Sequence, residues 1–401
     1  VKRLTIPSET ITLGLGTKRL ATTLLVLGIA GLALAGLLAQ MGEDGTPRFF
    51  RAYLVNFVYF LSLALGALFF VLISHLTRAG WNVSLRRVAE ASTFTFVPLA
   101  VLALLLIPGL HDLYEWTHHE VVEKDPILSG KAAYLNVPFF LARLALYFLA
   151  WNAIAHYFRR RSVEQDATGR PEITVRMELR SAPAMIVFAL TLTFAIFDLV
   201  MSLYPHWYST IFGVYYFAGA VLGFFALLPI LTAILQRRGL LRRVVTAEHY
   251  HDLGKLMFAF VVFWAYIGFS QYMLIWYGNL PEETVFYLRR QSGPWAALSL
   301  VLLFGHFFVP FFALMSRHPK RRLPALLAAA AWILLMHWLD LYWLVMPEAS
   351  PHALDFRLVD VACFLGIGGI FFSALVWRLR KHDLIPVRDP RLAEAVAFEN
   401  A

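Results

Sequence analysis

Arg180 stands 18 residues before Asp198, and Arg322 stands 18 residues before Asp340. Both aspartates are followed by leucine and, seven residues on, by a proline, Pro205 and Pro347. Each lies near the far end of an apolar stretch that begins just after its arginine. A carboxyl group inside hydrocarbon costs several kcal/mol unless it is paired or wetted, so its default reading is functional: taking up and passing on protons. Two such acids in register point to an internal duplication whose halves kept the same group.

Other ionisable side chains fall at matching depths. At a rise of about 1.5 Å per residue, both aspartates sit about 27 Å from the basic ends of their helices, close to the outer face. Arg143, entering from that face, is placed to pair with Asp198, either as a structural buried pair or as part of a site. His337 is three residues before Asp340, on the same helical face, and the neighbouring span carries His306. His306, His337 and Asp340 are expected to converge as an outer-half cluster able to accept a proton from a quinol hydroxyl or relay one. His337 alone also reads as a satisfied interior histidine. A haem between the two histidines is disfavoured, because b-type haem bundles usually carry a second pair and this chain offers none.

A further stretch reads His251-Asp252-Leu253-Gly254-Lys255. His251 and Lys255 share a helical face, and Asp252 reaches Lys255 at i, i+3. The stretch is either an interfacial salt bridge or the mouth of a cytoplasmic proton half-channel, with Tyr266, Ser270 and Gln271 continuing polar groups along the helix. The loop with His111, Asp112, Glu115, His118, His119 and Glu120 has zinc-type side chains but no closed-site spacing, and reads as a solvated or partner-facing loop. Tyr204-Pro205-His206-Trp207-Tyr208-Ser209 reads as an aromatic belt or a docking rim.

The elements that must hold these groups are membrane helices. The chain of 401 residues is 59% apolar and 15% charged, with a mean hydropathy of +0.64, which is polytopic membrane usage. Ten runs reach the roughly 20 residues needed to cross a bilayer: Leu20–Leu38, Tyr53–Leu76, Val88–Pro108, Tyr134–Phe158, Ser181–Ser202, Thr210–Leu235, His251–Tyr277, Gly293–Ser316, Leu323–Met346 and Leu358–Leu379. Segments on one side of these spans carry 26 Lys and Arg against 7 on the other, which puts both termini in the cytoplasm. The net charge of +9 is this asymmetry and not a nucleic-acid footprint. Span 1 lacks a small-x-small cleavage site and reads as a retained helix. The single Cys363 excludes disulfides and a self-supplied iron–sulfur cluster. Gly14-Leu15-Gly16 precedes a membrane helix, not a strand–helix unit, so it is no nucleotide fingerprint.

The repeat extends beyond the aspartates. Leu85-Arg86-Arg87-Val88 matches Leu241-Arg242-Arg243-Val244, Trp116 matches Trp276, and Tyr59 with Gly66 matches Tyr216 with Gly223. The expected architecture is two parallel four-helix bundles, spans 2–5 and 6–9, with spans 1 and 10 peripheral. The divisions fall at 1–50 for the amino-terminal segment and first helix, 51–207 and 208–350 for the bundles, and 351–401 for the last helix and tail.

FDLVMSLYPHWYSTIFGVYYFAG (197–219), HDLGKLMFAFVVFWAYIGFSQYMLIWYGNLPEET (251–284), DPILSGKAAYLNVPFFLAR (125–143) and the tail PVRDPRLAE (386–394) resemble the second NrfD-like membrane subunit of bacterial alternative complex III. That family also includes the membrane subunit of polysulfide reductase. The resemblance implies a subunit of a quinol:cytochrome c oxidoreductase of the bacterial inner membrane that holds no redox centre of its own. It implies as partners a sister NrfD-like subunit, a periplasmic iron–sulfur protein and haem c subunits. The sister subunit is the better place for the quinol pocket, and whether this chain binds quinone or conducts protons stays open. The rivals are a scaffold without chemistry and a secondary transporter built on parallel repeats, for which Pro229 and Pro310 inside spans supply the kinks.

Overall fold

Hydrocarbon offers a spanning backbone no partner but itself, so each apolar run closes its hydrogen bonds as helix. The computed structural model describes residues 11–14, 16–41 and 45–399. Among them ten helices are long and apolar enough to cross a membrane: α1 (Thr17–Gln40), α2 (Gly45–Leu76), α3 (Val83–Leu104), α4 (Val137–Thr168), α5 (Glu172–Leu203), α6 (Phe212–Arg237), α7 (Ala247–Gly278), α8 (Gly293–Met315), α9 (Leu323–Glu348) and α10 (Leu358–Leu379). No strand occurs among the described residues. The protein is an all-α, multi-pass membrane protein.

Each predicted span lies largely within one of these helices, and the ends differ most where charge drew the line. The stretch between spans 4 and 5 reads in sequence as a long loop, yet α4 runs on to Thr168 and α5 starts at Glu172. Only a tight reversal separates them. Gly169 sits there at φ +68, a left-handed conformation that suits glycine, and its N–H reaches Gln165 O at 2.7 Å. A helix therefore leaves the bilayer and re-enters it without unwinding.

α2 and α6 form the centre, each with 89% of its apolar window buried. They run parallel: Tyr216 Oη donates to Val58 O at 2.7 Å, and farther along both helices Phe70 packs on Phe224 and Phe225. Their closest approach is made at Gly66, which faces Ala220, and at Gly223, which faces Leu63. The two contacts are images of each other under one shift in numbering, as a duplicated pair of helices crossing symmetrically requires. A side chain at Gly66 would run into the Ala220 backbone. α3 and α5 pack on α2 with α4 against α5, while α7 and α9 pack on α6 with α8 against both. α5 also touches α6, and α9 touches α2, so the two groups share edges. α1, with only 17% of its window buried, lies mainly on α10, where Gly28 and Gly31 meet the Gly366 backbone.

Two of the sequence matches do not share environments. Trp116 is buried while Trp276 is 66% exposed. Arg242 and Arg243 are exposed, whereas Arg86 and Arg87 lie inside an ion cluster at the basic ends of the helices. There Glu90 meets Arg87 at 3.3 Å, Arg159 at 3.4 Å and Arg86 at 3.6 Å. Arg87 also holds Asp166 at 2.7 Å, and Arg86 holds Asp389 from the tail.

Candidate functional site

α9 delivers Asp340 and His337 into the centre of the second group of helices. Asp340 is 1% exposed and is held by neutral donors: Tyr215 Oη of α6 donates to Oδ1, and Trp264 Nε1 of α7 donates to Oδ2 at 3.2 Å. Among the described residues no cation pairs with it. Trp264 in turn lies over His306 of α8, ring centres 4.1 Å apart. His306 and His337 follow at 6.3 Å. His337 Nε2 is 2.8 Å from Ser62 Oγ on α2, and its ring is 5.6 Å from Tyr59. Asp340, His306 and His337 thus lie in one neighbourhood, joined as a chain: His337 meets His306, His306 meets Trp264, and Trp264 donates to Asp340, with no direct contact between either histidine and the acid.

His306 owes its place to a local defect. Pro310 has no N–H and its ring crowds the carbonyl four residues back, which is that of His306. The helix answers by widening into a π-turn over Leu303–Phe308. Trp332 Nε1 donates to the Gly305 carbonyl at 2.7 Å and covers it. His306 is fully buried with both ring nitrogens unpartnered, and His337 Nδ1 is also unpartnered. Buried polar atoms without a partner call for an explanation, and in this chain they also occur in the ion cluster around Glu90. Haem ligation does not fit His337, because its Nε2 is on Ser62 and its ring is wedged against Gly219 and Gly223.

Tyr59 also lines an apolar cleft of about 450 Å³ between α2, α6, α9 and α10, together with Phe60, Trp338 and Phe364. Trp338 Nε1 is anchored on Asn56 Oδ1 at 2.8 Å. Tyr59 thus borders both this cleft and the His337 ring.

The other aspartate is built differently. Arg143 Nε donates to Asp198 Oδ2 at 2.9 Å and Nη2 to Oδ1 at 2.8 Å, while Tyr147 Oη donates to Oδ2 at 2.7 Å. Arg143 Nη1 reaches Tyr134 O at 2.9 Å, and the guanidinium lies over the Tyr134 and Phe139 rings. Every arm of the pair is engaged. α-Helical geometry ends at Leu199, so Asp198 stands in a last turn, where a carboxylate faces the negative end of the helix dipole. Arg143 offsets that. The predicted pair exists, and it is a clasp between α4 and α5.

At the basic end of α7, Lys255 Nζ is 2.5 Å from Asp252 Oδ1, the expected i, i+3 pair. His251 is buried with Nδ1 unpartnered, and Lys320 lies against Gly254 and over the Phe258 ring. The expected polar continuation along α7 does not form. The buried face between His251 and Trp264 is Leu253, Gly254, Met257 and Val261, and Tyr266 is 63% exposed. Ser270 is only half-buried, and Gln271 reaches Ser209 Oγ at 2.9 Å near the opposite end. Helical periodicity is the cause: residue 266 falls on the flank away from 264 and 271.

The 204–209 loop is a clasp as well, not a rim. Trp207 stacks on Phe286 at 4.0 Å, His206 Nε2 is 2.5 Å from Asp125 Oδ2, and Tyr204 Oη donates to Leu344 O at 3.0 Å. Tyr208 and His206 are the exposed side chains of the loop. In the 111–120 loop, His111 and His118 have ring centres 5.3 Å apart, and His119 meets Glu123 at 3.4 Å.

Several contributors escaped the sequence reading. Tyr215, Trp264, Tyr147 and Ser62 carry no marker in an apolar run. Arg290 counts as a loop charge in sequence, yet it is fully buried and bonds Trp343 O, Leu344 O, Phe286 O and Tyr204 Oη. It caps carbonyls near the end of α9, where a cation is favoured. Asp360 and Glu90 did carry a signal: acids inside predicted spans, each buried and paired with arginine.

No protein-family profile matches the chain, and no curated protein sequence matches it.

Proposed function

We propose that the chain is the integral membrane subunit of a quinol:periplasmic-acceptor oxidoreductase of the alternative complex III type, in a bacterial inner membrane with both termini cytoplasmic. In this reading it holds no redox centre. A sister NrfD-like subunit, a periplasmic iron–sulfur protein and haem c subunits take the electrons of quinol. This chain takes up and carries protons on Asp340, His306 and His337.

The observation that carries the reading is the difference between the two acids. Asp198 is held by both oxygens on the Arg143 guanidinium. Asp340 has only neutral donors, Tyr215 and Trp264, and Trp264 in turn lies on His306, whose two ring nitrogens are unpartnered. A carrier must lose and regain its proton without leaving a stranded counter-charge, and the second environment permits that. The cleft at Tyr59 supports contact with the ring of a quinol.

The test is turnover of the assembled complex. With Asp340→Asn, quinol oxidation and its proton release should fall at least tenfold at matched subunit content, as loss of a positioned proton acceptor does. Wild-type rates in that variant would remove the proposal. Co-purification of haem c and iron–sulfur absorbance with the chain is the second arm. A transporter is the alternative reading, favoured by the π-turn and Pro310 break in α8. A chain that purifies without either absorbance and moves a solute would be that transporter.

A further inference from the structure

At their basic ends α4 and α5 part to leave a cleft of about 760 Å³. Its walls are two i, i+4 rows. Ala153, Tyr157 and Arg161 come from α4, and Arg176, Arg180 and Ala184 from α5. Because the helices are consecutive and reverse at Gly169, Arg161 and Arg176 lie nearest the reversal, and Ala153 and Ala184 lie deepest. The cleft is thus cationic at its mouth and apolar farther along, where Ala153, Ile154, Phe158 and Ala184 line it. Arg161 is committed, donating to Glu164 Oε2 at 2.7 Å. Arg176 and Arg180 are exposed, and among the described residues neither meets a carboxylate. They stand one turn apart, about 6 Å along the helix. Glu178, on the same helix, is taken by Arg78 at 3.3 Å and Arg391 at 3.0 Å.

We infer that this cleft binds an anionic phospholipid, its phosphates on Arg176 and Arg180 and one acyl chain along the Ala153–Ala184 track. Guanidinium groups suit phosphate because their paired N–H groups match two of its oxygens. Basic pockets between membrane helices on the cytoplasmic side are where acidic headgroups dock. The depth gradient, charge outside and alanine within, matches a lipid and not a free anion, which has no use for the apolar floor. The inference stands apart from the redox proposal, since it concerns the opposite end of other helices.

The experiment is native mass spectrometry of the purified full-length chain titrated with tetraoleoyl cardiolipin. Arg176→Gln/Arg180→Gln should bind it about 30-fold more weakly than wild type, taking the value of a basic residue near an acidic headgroup for each. Ala184→Trp, which keeps every charge and fills the track, should also weaken binding severalfold. Arg176→Lys/Arg180→Lys, which keeps the charge and loses the paired N–H groups, should bind more weakly than wild type and more tightly than the glutamine variant. Dioleoyl phosphatidylcholine should bind all variants alike, and millimolar inorganic phosphate should not displace the lipid. Displacement by phosphate overturns the inference, as does equal weakening in Arg237→Gln/Arg238→Gln, an exposed basic pair elsewhere on the same side.

Discussion

Removing the charge from Asp198 strands Arg143, whose remaining neighbours are one backbone carbonyl and two aromatic faces. Breaking one side of a buried pair usually costs about 3–5 kcal/mol, while replacing both partners with apolar groups is often neutral. Asp198→Asn should therefore lower the yield and melting temperature of the purified chain, and Arg143→Met/Asp198→Leu should recover most of the loss. Asp340→Asn should behave oppositely, because the Asn carbonyl can accept from the Trp264 N–H while its NH2 donates to the Tyr215 hydroxyl, which can turn to accept: near-normal melting with turnover reduced. Thermal melts of the four chains side by side decide between these roles. If Asp340→Asn melts as low as Asp198→Asn, the asymmetry between the acids has no functional content. His306→Phe keeps the stack on Trp264 and deletes the unpartnered nitrogens. It should fold and slow proton release without loosening α8.

Among the elements, the tail crossing the basic ends is tied by Asp389 to Arg86, by Arg391 to Glu178, and by Leu384 N to Ile11 O at 2.7 Å. His382 begins that crossing. Burial first, and then Arg159, Arg378 and Arg87, push its imidazole down from 6.5 to about 4. A released tail binds the proton more readily, so His382 contributes to attachment fully above about 6.5 and the contribution is lost as pH falls toward 4. The protection of backbone amides over residues 382–398, corrected for the intrinsic pH dependence of exchange, should fall between pH 7 and pH 5, and His382→Gln should flatten that change. Such local ties also show where a sequence stops being legible. Ten helices and their order could be read because twenty apolar residues make a signal that no single substitution hides. The Asp340, His337 and His306 grouping could be read because depth follows from the helical rise. Tyr215 and Trp264 could not, since which helix faces Asp340 is decided by the crossing of α2 and α6 at Gly66 and Gly223. Glu90 was half-legible: Arg87 precedes it at i, i+3 on the same helix, whereas its other partner, Arg159, comes from α4 and only the packing brings it in.

For the molecule as a whole, ten crossings and one strongly basic side fix a topology that can be checked directly. Cys363, the chain's single cysteine, is fully buried in α10, so a thiol introduced in a loop can be labelled without first removing it. Gly130 and Ala167 are exposed, the first between α3 and α4 and the second near the reversal between α4 and α5. They lie at opposite ends of α4. The proposed orientation, with the more basic side cytoplasmic, has Ala167 in the cytoplasm and Gly130 outside. In intact spheroplasts a membrane-impermeant maleimide should then label Gly130→Cys at once and Ala167→Cys only after permeabilisation. The same proposed orientation has Asp340 in the outer half of the membrane, the side on which the proposed periplasmic acceptor would take electrons. Reversed labelling would move that acid to the cytoplasmic half and separate it from any acceptor outside. The redox reading would then lose its geometry even with every side-chain contact unchanged.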